Sequence, residues 1–238
     1  ARMWQPVSNS NFPAPSILEY LPYRKRDGTA LRDEGNHPLF ASKGYVCIRV
    51  DLPGQGDSDG LMLDEYTEDE LSTGHELINW IANQEWSNWN VGMIGISWGG
   101  FNGLQIAMRK PSPLKAIVTV CSTVDRYADD IHYMGGCLLT DNFSWSKQML
   151  AYSSRPPDPE LRKDWKKVWK NRLENQPAHI LTWLKHPTRD AFWKHGSVCE
   201  DWNSIECAVL AVGGWADQYT NAPPQLIENL QAPCSAWI

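Results

Sequence analysis

The sequence lacks long apolar runs and clusters of basic residues. No stretch approaches the roughly 20 apolar residues that a helix needs to cross a bilayer, so we predict no membrane-spanning segment. The 22 Lys and Arg residues are scattered and are outnumbered by 28 Asp and Glu residues, for a net charge of -6. Without a basic patch, the chain is not expected to bind nucleic acid or anionic lipid. Its opening, ARMWQPVSNS, also lacks the features of a signal peptide, and a leader removed upstream of Ala1 is left as an alternative.

Metal-binding and cofactor-binding motifs are also absent. The six cysteines contain no C-x-x-C pair, and three of them fall in apolar, strand-like runs where cysteine acts as a small hydrophobic residue. We therefore expect reduced, buried cysteines rather than disulfides or a zinc site, and a cytoplasmic location. Gly54-x-Gly56 is followed by Asp59 rather than by the third glycine of a dinucleotide-binding motif. No metal and no cofactor are expected.

Five short apolar runs rich in β-branched residues recur along the chain. They are SILEYL (16–21), YVCIRV (45–50), VGMIGI (91–96), KAIVTVC (115–121) and CAVLAVGG (207–214). Polar or helix-like segments separate them, which is typical of strands joined by right-handed crossovers in a parallel sheet. A chain of 238 residues is long enough for one such core plus an insertion. We predict an α/β fold with a mostly parallel, doubly wound sheet.

Helix-like patterns flank the third run. Thr67 and Glu70 have capping-box spacing at the start of TEDELSTGHELINWIANQ (67–84), whose apolar residues recur at helical intervals. A second helical pattern follows Ser97 and ends before Pro111. These patterns predict a crossover helix before the third run and another helix directly after it.

A long interruption separates the fourth run from the fifth. It spans residues 122–206, far more than the few residues that usually join elements of such a fold. We therefore predict a core domain formed by residues 1–121 and 207–238, with a helical cap inserted between its parts. Six of the 13 tryptophans fall in the insertion, and most of them are expected to fill its core.

Two helices are predicted inside this cap. Asp158 and Pro159 form a suitable helix start, and an apolar stripe at helical spacing follows from Leu161 to Leu173. The second helix is predicted over residues 178–185, just before a proline.

The segment Gly95-Ile96-Ser97-Trp98-Gly99 fits the G-x-S-x-G pattern of a nucleophile elbow. In that motif, small flanking residues allow a sharp strand-to-helix turn that exposes the serine hydroxyl. The bare pattern is weakly specific because glycine and serine are common residues. Here, however, it lies where a strand-like run meets a helix-like one. We therefore predict that Ser97 is a nucleophile rather than a small residue in a Gly-rich bend.

A nucleophilic serine needs a base, and the base needs an orienting acid. In folds with this elbow, the chain order is Ser, then Asp or Glu, then His. Asp217 comes just after the last strand-like run, within AVGGWADQYTN (211–221), and is predicted to be the acid. Asp125 follows the preceding run at a similar distance and is the alternative.

All six histidines precede Asp217, and the last of them is His195. Either the triad is unorthodox, or the chain stops before the loop that would carry the base. The final residues, APCSAWI (232–238), look like the opening of another strand, and ARMWQP (1–6) looks like part of an early one. We therefore expect a fragment that lacks its base and is catalytically inactive by itself.

Four segments in order resemble one known family. They are ILEYLPYRKRDG (17–28), GYVCIRVDLPGQGDSDG (44–60), GMIGISWGG (92–100) and VGGWADQYTN (212–221). They are similar to the α/β-hydrolase domain of the family that contains cocaine esterase and the Xaa-Pro dipeptidyl-peptidases. The resemblance covers nearly the whole chain and implies an α/β-hydrolase fold, no cofactor, and hydrolysis of a small-molecule or peptide acyl substrate. Family members usually continue into a histidine-bearing loop and a C-terminal jelly-roll domain, and this sequence has neither.

The same resemblance assigns roles around the nucleophile. Tyr23 matches the family's oxyanion tyrosine, which works with the backbone N–H after the nucleophile, here that of Trp98. Such a pair of donors stabilises the negative oxygen of a tetrahedral intermediate. The alternative for Tyr23 is an ordinary strand-end tyrosine. Trp215 and Tyr219, in the motif of the predicted acid, are candidate substrate-pocket residues.

Two other functions stay open at this point. A hydrolase of the same fold with an aspartate nucleophile, such as a haloalkane dehalogenase, is one of them, and the serine at position 97 speaks against it. The other is a non-catalytic binding or assembly module, which is favoured only if the complete protein also lacks the histidine.

Overall fold

The computed structural model describes residues 1–7 and 12–238. Strands and helices alternate through most of this part of the chain. The strands are β1 (Arg2–Trp4), β2 (Ala14–Leu21), β3 (Val46–Asp51), β4 (Ser87–Ile96), β5 (Leu114–Val120), β6 (Tyr133–Met134), β7 (Cys137–Leu138), β8 (Ala208–Val212) and β9 (Cys234–Trp237). The helices are α1 (Ala30–Ser42), α2 (Glu68–Ala82), α3 (Trp98–Ala107), α4 (Asp141–Ser153), α5 (Trp165–Asn175), α6 (Ile180–Trp183), α7 (Ala191–Lys194) and α8 (Ala222–Asn229).

Seven of these strands form one sheet with the order β1-β3-β2-β4-β5-β8-β9. β1 is antiparallel to β3, and the other neighbouring strands are parallel. Each of the five apolar runs forms one of the strands, because β-branched residues suit a sheet covered on both faces. The strand expected at APCSAWI is β9. The predicted mostly parallel α/β sheet is confirmed.

The two helices predicted around the third run also form. α2 begins after Thr67, whose hydroxyl accepts the Glu70 backbone N–H at 3.3 Å. The Glu70 carboxylate, however, does not close a capping box on the Thr67 N–H but accepts the N–H of Tyr66 at 2.9 Å. α3 begins directly after Ser97 and ends before Pro111, as expected.

Between β5 and β8 the chain forms α4 to α7 and the short β6–β7 hairpin. A small aromatic core lies in this region, with Tyr133, Trp183 and Trp193 at its centre. The division of the chain into a core and a cap at residues 122–206 stays a prediction. Elements of the insertion nevertheless reach the predicted site, because α4 contributes three of its lining side chains, as described below.

The helix expected to start at Asp158 was predicted wrongly. α5 begins at Trp165, with Asp164 in the position before it. Asp158 is held by other contacts: its carboxylate pairs with Arg26 at 2.6 Å and its backbone N–H donates to Asp57 at 2.9 Å. These contacts hold residues 158–164 as turns. The stripe is also not a buried face, because Leu161 at one end is more than half exposed.

Two smaller predictions were also too broad. The helix expected over residues 178–185 is reduced to the four residues of α6. All six cysteines are free thiols, but only Cys47 is fully buried, and Cys137 is exposed. Cys137 lies in β7 of the short β6–β7 hairpin, and both residues of that strand are exposed.

Candidate active site

Ser97 sits on a strained turn between β4 and α3. Its backbone has φ 52° and ψ -122°, a left-handed conformation that is costly for a residue with a side chain. The turn needs glycine on both sides of it. A Cβ atom on Gly95 would overlap the backbone of Gly99, and one on Gly99 would approach the Leu21 side chain to 2.9 Å. This is the geometry of a nucleophile elbow.

Ser97 and Asp217 lie at the same edge of the sheet. The Ser97 N–H donates to the Val120 carbonyl at the end of β5, at 2.8 Å, and the Cys121 N–H donates to the Val212 carbonyl at the end of β8, also at 2.8 Å. Asp217 follows β8 after a short turn closed by its N–H on the Gly214 carbonyl. The carboxyl ends of β4, β5 and β8 therefore bring the predicted nucleophile and acid to one side of the molecule.

Tyr23 and the Trp98 backbone are in contact beside Ser97. The Trp98 N–H donates to the Tyr23 hydroxyl at 3.3 Å. Burial raises the pKa of Tyr23 to about 12, although the Ser97 hydroxyl and the Trp98 N–H oppose the rise. The phenol is therefore neutral around pH 7 and keeps a proton to donate. The two predicted oxyanion donors are brought together.

The Asp217 carboxylate has an open acceptor. Its Oδ2 atom is buried and has no hydrogen-bond partner among residues 1–7 and 12–238. The Cys121 thiol lies beside this carboxylate and donates a hydrogen bond to it, and burial together with that bond raises the pKa of the thiol to about 11. Both carboxylate oxygens of Asp129 and the Oδ2 atom of Asp130 are likewise buried without a partner among the described residues.

The alternative acid, Asp125, is bonded to its own surroundings. Its carboxylate accepts the N–H groups of Tyr127 and Ala128 at 2.9 and 3.0 Å, and the Arg189 guanidinium at 3.1 Å. Burial alone would raise the pKa of Asp125, but these hydrogen bonds outweigh it and lower the pKa. Its position is that of a loop-stabilising carboxylate.

None of the six histidines is hydrogen bonded to Ser97 or Asp217 in the part of the chain that the structure describes. Five of them bond elsewhere: His37 to Glu19, His132 to Glu65 and Asn142, His179 to the Met62 carbonyl, His186 to Asp190, and His195 to the Tyr66 carbonyl. The sixth, His75, lies on α2, where its backbone carbonyl accepts the Asn79 side-chain amide at 3.1 Å.

A cleft of about 340 Å³ opens beside Ser97. Its lining residues are Tyr23, Gly28, Thr29, Arg32, Ile96, Ser97, Trp145, Gln148 and Tyr152. The last three come from α4, which the sequence reasoning missed. The Trp145 ring lies 6.5 Å from that of Tyr23, and its indole N–H donates to Glu65 at 2.5 Å. Trp145 therefore forms a fixed wall of the cleft.

Trp215 and Tyr219 lie elsewhere. The Trp215 side chain is 78% exposed, and Tyr219 is buried with its ring edge-on to Phe101 at 5.1 Å. Neither is among the described residues that line the cleft beside Ser97. Their role in a substrate pocket stays a prediction.

One group of side chains could be considered for a metal ion. Ligand atoms of Glu19, Asp33 and His37 lie within 4.8 Å of one another, and all three side chains are buried. Arg32 pairs with both carboxylates, at 2.6 and 2.9 Å, and Arg49 pairs with Asp33 at 3.3 Å. The acidic charges are thus balanced by arginines, which indicates an internal ion-pair network rather than a cation site.

The sheet order, the strained strand-to-helix turn at Ser97 after β4 and the position of Asp217 after β8 are those of an α/β-hydrolase fold. The chain belongs to the X-Pro dipeptidyl-peptidase (S15) family, whose family model matches residues 1–238. It is 26% identical over 230 residues to the cocaine esterase of Rhodococcus sp. (strain MB1 Bresler), a match that covers 87% of this chain and 40% of the esterase. The resemblance stated from the sequence motifs is confirmed.

Solved structures agree on the fold. A CocE/NonD family hydrolase from Staphylococcus aureus superposes with a TM-score of 0.75 and 21% identity over 98% of this chain and 42% of that one. An aminopeptidase from a marine sediment Thaumarchaeota archaeon gives a TM-score of 0.65, also with 21% identity, over 90% of this chain and 41% of that one. The chain thus spans about two fifths of these proteins. Among the described residues, no helix has the length and apolar character for a bilayer crossing.

Proposed function

We propose that this chain carries the nucleophile, oxyanion donors and acid of a serine hydrolase that cleaves an ester or amide through an acyl-enzyme. The observation that carries the proposal is the strained backbone of Ser97 with two donors, Tyr23 and the Trp98 N–H, directly beside it. Backbone strain of this kind persists where the surroundings enforce it, and it concentrates at functional sites. Membership of the family supports the same chemistry.

In the proposed reaction, the Ser97 oxygen bonds to the substrate carbonyl carbon while its proton passes to a base. The carbonyl oxygen becomes negative and accepts hydrogen bonds from Trp98 N–H and Tyr23 O–H. In the free site the Trp98 N–H donates to Tyr23, so the substrate oxygen takes over that donor. Collapse restores the carbonyl and expels the leaving group, which takes the proton from the base. Water then attacks the acyl-enzyme in the same way and releases Ser97.

Asp217 is proposed to hold the base. Its strand, β8, is two positions from β4 in the sheet, which corresponds to about 10 Å between strand ends. An imidazole that bonds to a serine on one side and a carboxylate on the other needs a gap of this order. The unpartnered Oδ2 atom of Asp217 is the kind of acceptor that a ring N–H would satisfy.

The base itself is proposed to be a histidine other than the six in this sequence. Five of the six hold partners away from Ser97, and two of these, His37 and His132, are fully buried in ion-pair networks. If one of the six were the base, its glutamine variant would lose turnover while staying folded. We expect none of the six variants to do so, as judged by ester turnover and circular dichroism of the whole protein.

We propose a small-molecule or peptide acyl substrate. The relatives named above are a cocaine esterase and an aminopeptidase, so both ester and amide bonds are within the chemistry of similar proteins. The cleft beside Ser97 is walled by aromatic rings from α4, which suits an apolar acyl or leaving group. The six free thiols support the proposed cytoplasmic location.

The test is turnover of a panel of p-nitrophenyl esters and amino-acyl p-nitroanilides by the whole protein. Ser97→Ala should lose turnover of every substrate that the wild type accepts. Ser112→Ala is the matched control, because Ser112 is exposed in the loop before β5, at the opposite edge of the sheet. A folded wild type that hydrolyses nothing in the panel would favour the non-catalytic binding module instead.

A further inference from the structure

Glu70 is a buried carboxylate to which the proposed reaction gives no role. It lies in the first turn of α2 and is 3% exposed. Its Oε1 atom accepts the indole N–H of Trp98 at 2.7 Å and the amide of Asn102 at 3.0 Å, and its Oε2 atom accepts the N–H of Tyr66 at 2.9 Å. Each of these partners is a neutral donor. A buried charge held only by neutral donors is costly to maintain.

Two of those donors belong to the helix that carries the oxyanion N–H. Trp98 and Asn102 are four residues apart, on one face of α3, and they converge on one oxygen of Glu70. The Trp98 indole is therefore held by Glu70, while the backbone N–H of Trp98 donates to the Tyr23 hydroxyl. Rotation or withdrawal of the first turn of α3 would break the Glu70 contact.

The same carboxylate is connected to the strand that leads to Tyr23. The Asn102 amide also donates to the Tyr20 carbonyl at 3.0 Å, and the Tyr20 hydroxyl donates to the Glu70 carbonyl at 3.1 Å. Tyr20 lies in β2, three residues before Tyr23. Glu70 thus links the start of α3, which carries the Trp98 N–H, to the end of β2, which lies two residues before Tyr23.

We propose that Glu70 is a positioning residue that sets the distance between the Trp98 N–H and the Tyr23 hydroxyl. The inference rests on the proposed function, since it concerns the oxyanion site of that reaction. Burial raises the pKa of Glu70 to about 7, while its hydrogen bonds favour the charged form. An amide cannot replace this carboxylate, because glutamine offers one acceptor and one NH₂ group, so at least one of the donors would face another donor.

The test is Glu70→Gln in the whole protein. We expect kcat to fall by roughly 10- to 100-fold, with KM within twofold, because the oxyanion forms only after substrate is bound. Affinity for a trifluoromethyl ketone, which adds to the serine as a tetrahedral oxyanion, should fall by the same factor as kcat. Glu68→Gln is the matched control: it lies in the same turn, with a side chain 70% exposed and paired with Arg109 at 2.6 Å, and it should change neither value.

A second variant covers the case in which Glu70→Gln does not fold. Trp98→Phe removes the indole donor but keeps the backbone N–H, and it should lower kcat with KM unchanged. If both variants fold, their effects on kcat should be less than additive because they act through one contact. Wild-type kcat in either folded variant, or a loss confined to KM, overturns the proposal. If Ser97→Ala also keeps turnover, the proposed function falls with it, whereas an inactive Ser97→Ala confines the failure to Glu70.

Discussion

The Ser97 side and the Asp217 side of the candidate site differ in how their polar groups are bonded. Around Ser97, three donors have acceptors within the chain. The Trp98 N–H donates to the Tyr23 hydroxyl, the Trp98 indole N–H to the Glu70 carboxylate, and the Ser97 N–H to the Val120 carbonyl. Around Asp217, a buried carboxylate oxygen has no partner in the described chain, and Trp215 is largely exposed. The Ser97 side is organised by contacts within this chain, whereas the Asp217 side has a buried carboxylate oxygen that no described residue satisfies.

The largest effect is expected on the acid side. Asp217→Asn should lower kcat on the order of 10⁴-fold in the whole protein, because the base would lose the partner that fixes its tautomer. Asp125→Asn is the control and should lower kcat by less than about tenfold, since its carboxylate serves its own loop. Steady-state kinetics of the two folded variants decide between the acids, and the reverse ranking would remove Asp217 from the site.

On the nucleophile side, Tyr23→Phe deletes only a hydroxyl. We expect kcat to fall on the order of 100-fold with KM changed by no more than about threefold, because the donor acts on charge that develops in the transition state. Tyr20→Phe removes a neighbouring hydroxyl that donates to the backbone carbonyl of Glu70 and does not contact Ser97, so it should have a smaller effect. Equal kcat in Tyr23→Phe and wild type would return Tyr23 to an ordinary strand-end tyrosine.

The cleft gives a smaller, substrate-dependent effect. Trp145→Leu should raise KM by about tenfold for aromatic esters, which corresponds to losing part of one apolar contact, because Trp145 lines the cleft beside Ser97. The sequence motif instead suggested Trp215. Trp215→Leu should change KM by less than about twofold if the cleft is the substrate pocket. A larger KM effect at Trp215 would place the pocket on the acid side.

The smallest effect concerns stability. The folded pKa of Glu70 is about 7, above its ordinary value of 4.5, so its contribution is fully present below pH 4.5 and declines as the pH rises to 7. Over this range, folded wild type binds up to about one proton more than the unfolded chain because of Glu70. The Glu70→Gln variant lacks this difference, so its unfolding free energy should fall less steeply as the pH rises. Burial also raises the pKa of Asp130 to about 7, but Asp130 contributes the same pH dependence to wild type and to Glu70→Gln. Urea unfolding at several pH values measures the slope, and identical slopes would contradict the assignment.

The sequence predicted the parts of this comparison that depend on local pattern. The parallel strands were recognisable because each is a short β-branched run. The turn at Ser97 was recognisable because Gly95 allows α3 to approach β4 closely and Gly99 allows α3 to approach Leu21 of β2. The location of Asp217 just after a strand followed from the position of β8, and its role as the acid stays a prediction. These features depend on residues that are neighbours in the chain.

The parts that were missed depend on contacts between distant segments. In α4, burial does not follow hydrophobicity, because Phe143 is mostly exposed while Ser146 is buried. The sequence pattern therefore did not predict that α4 lines the cleft beside Ser97. Glu70 has the spacing of a capping box, yet its carboxylate is drawn to Trp98, which is 28 residues away in the chain. The helix expected at Asp158 fails because Arg26 and Asp57 hold that residue. No local pattern records such contacts.

The measurement that tests the central claim most directly is mass-spectrometric mapping of a fluorophosphonate adduct on the whole protein. A serine activated by a base and facing two oxyanion donors attacks phosphorus as it attacks a carbonyl carbon. The account predicts a single adduct on Ser97, lost in Ser97→Ala and retained in Ser112→Ala. An adduct on another serine, or unchanged labelling of Ser97→Ala, would contradict it.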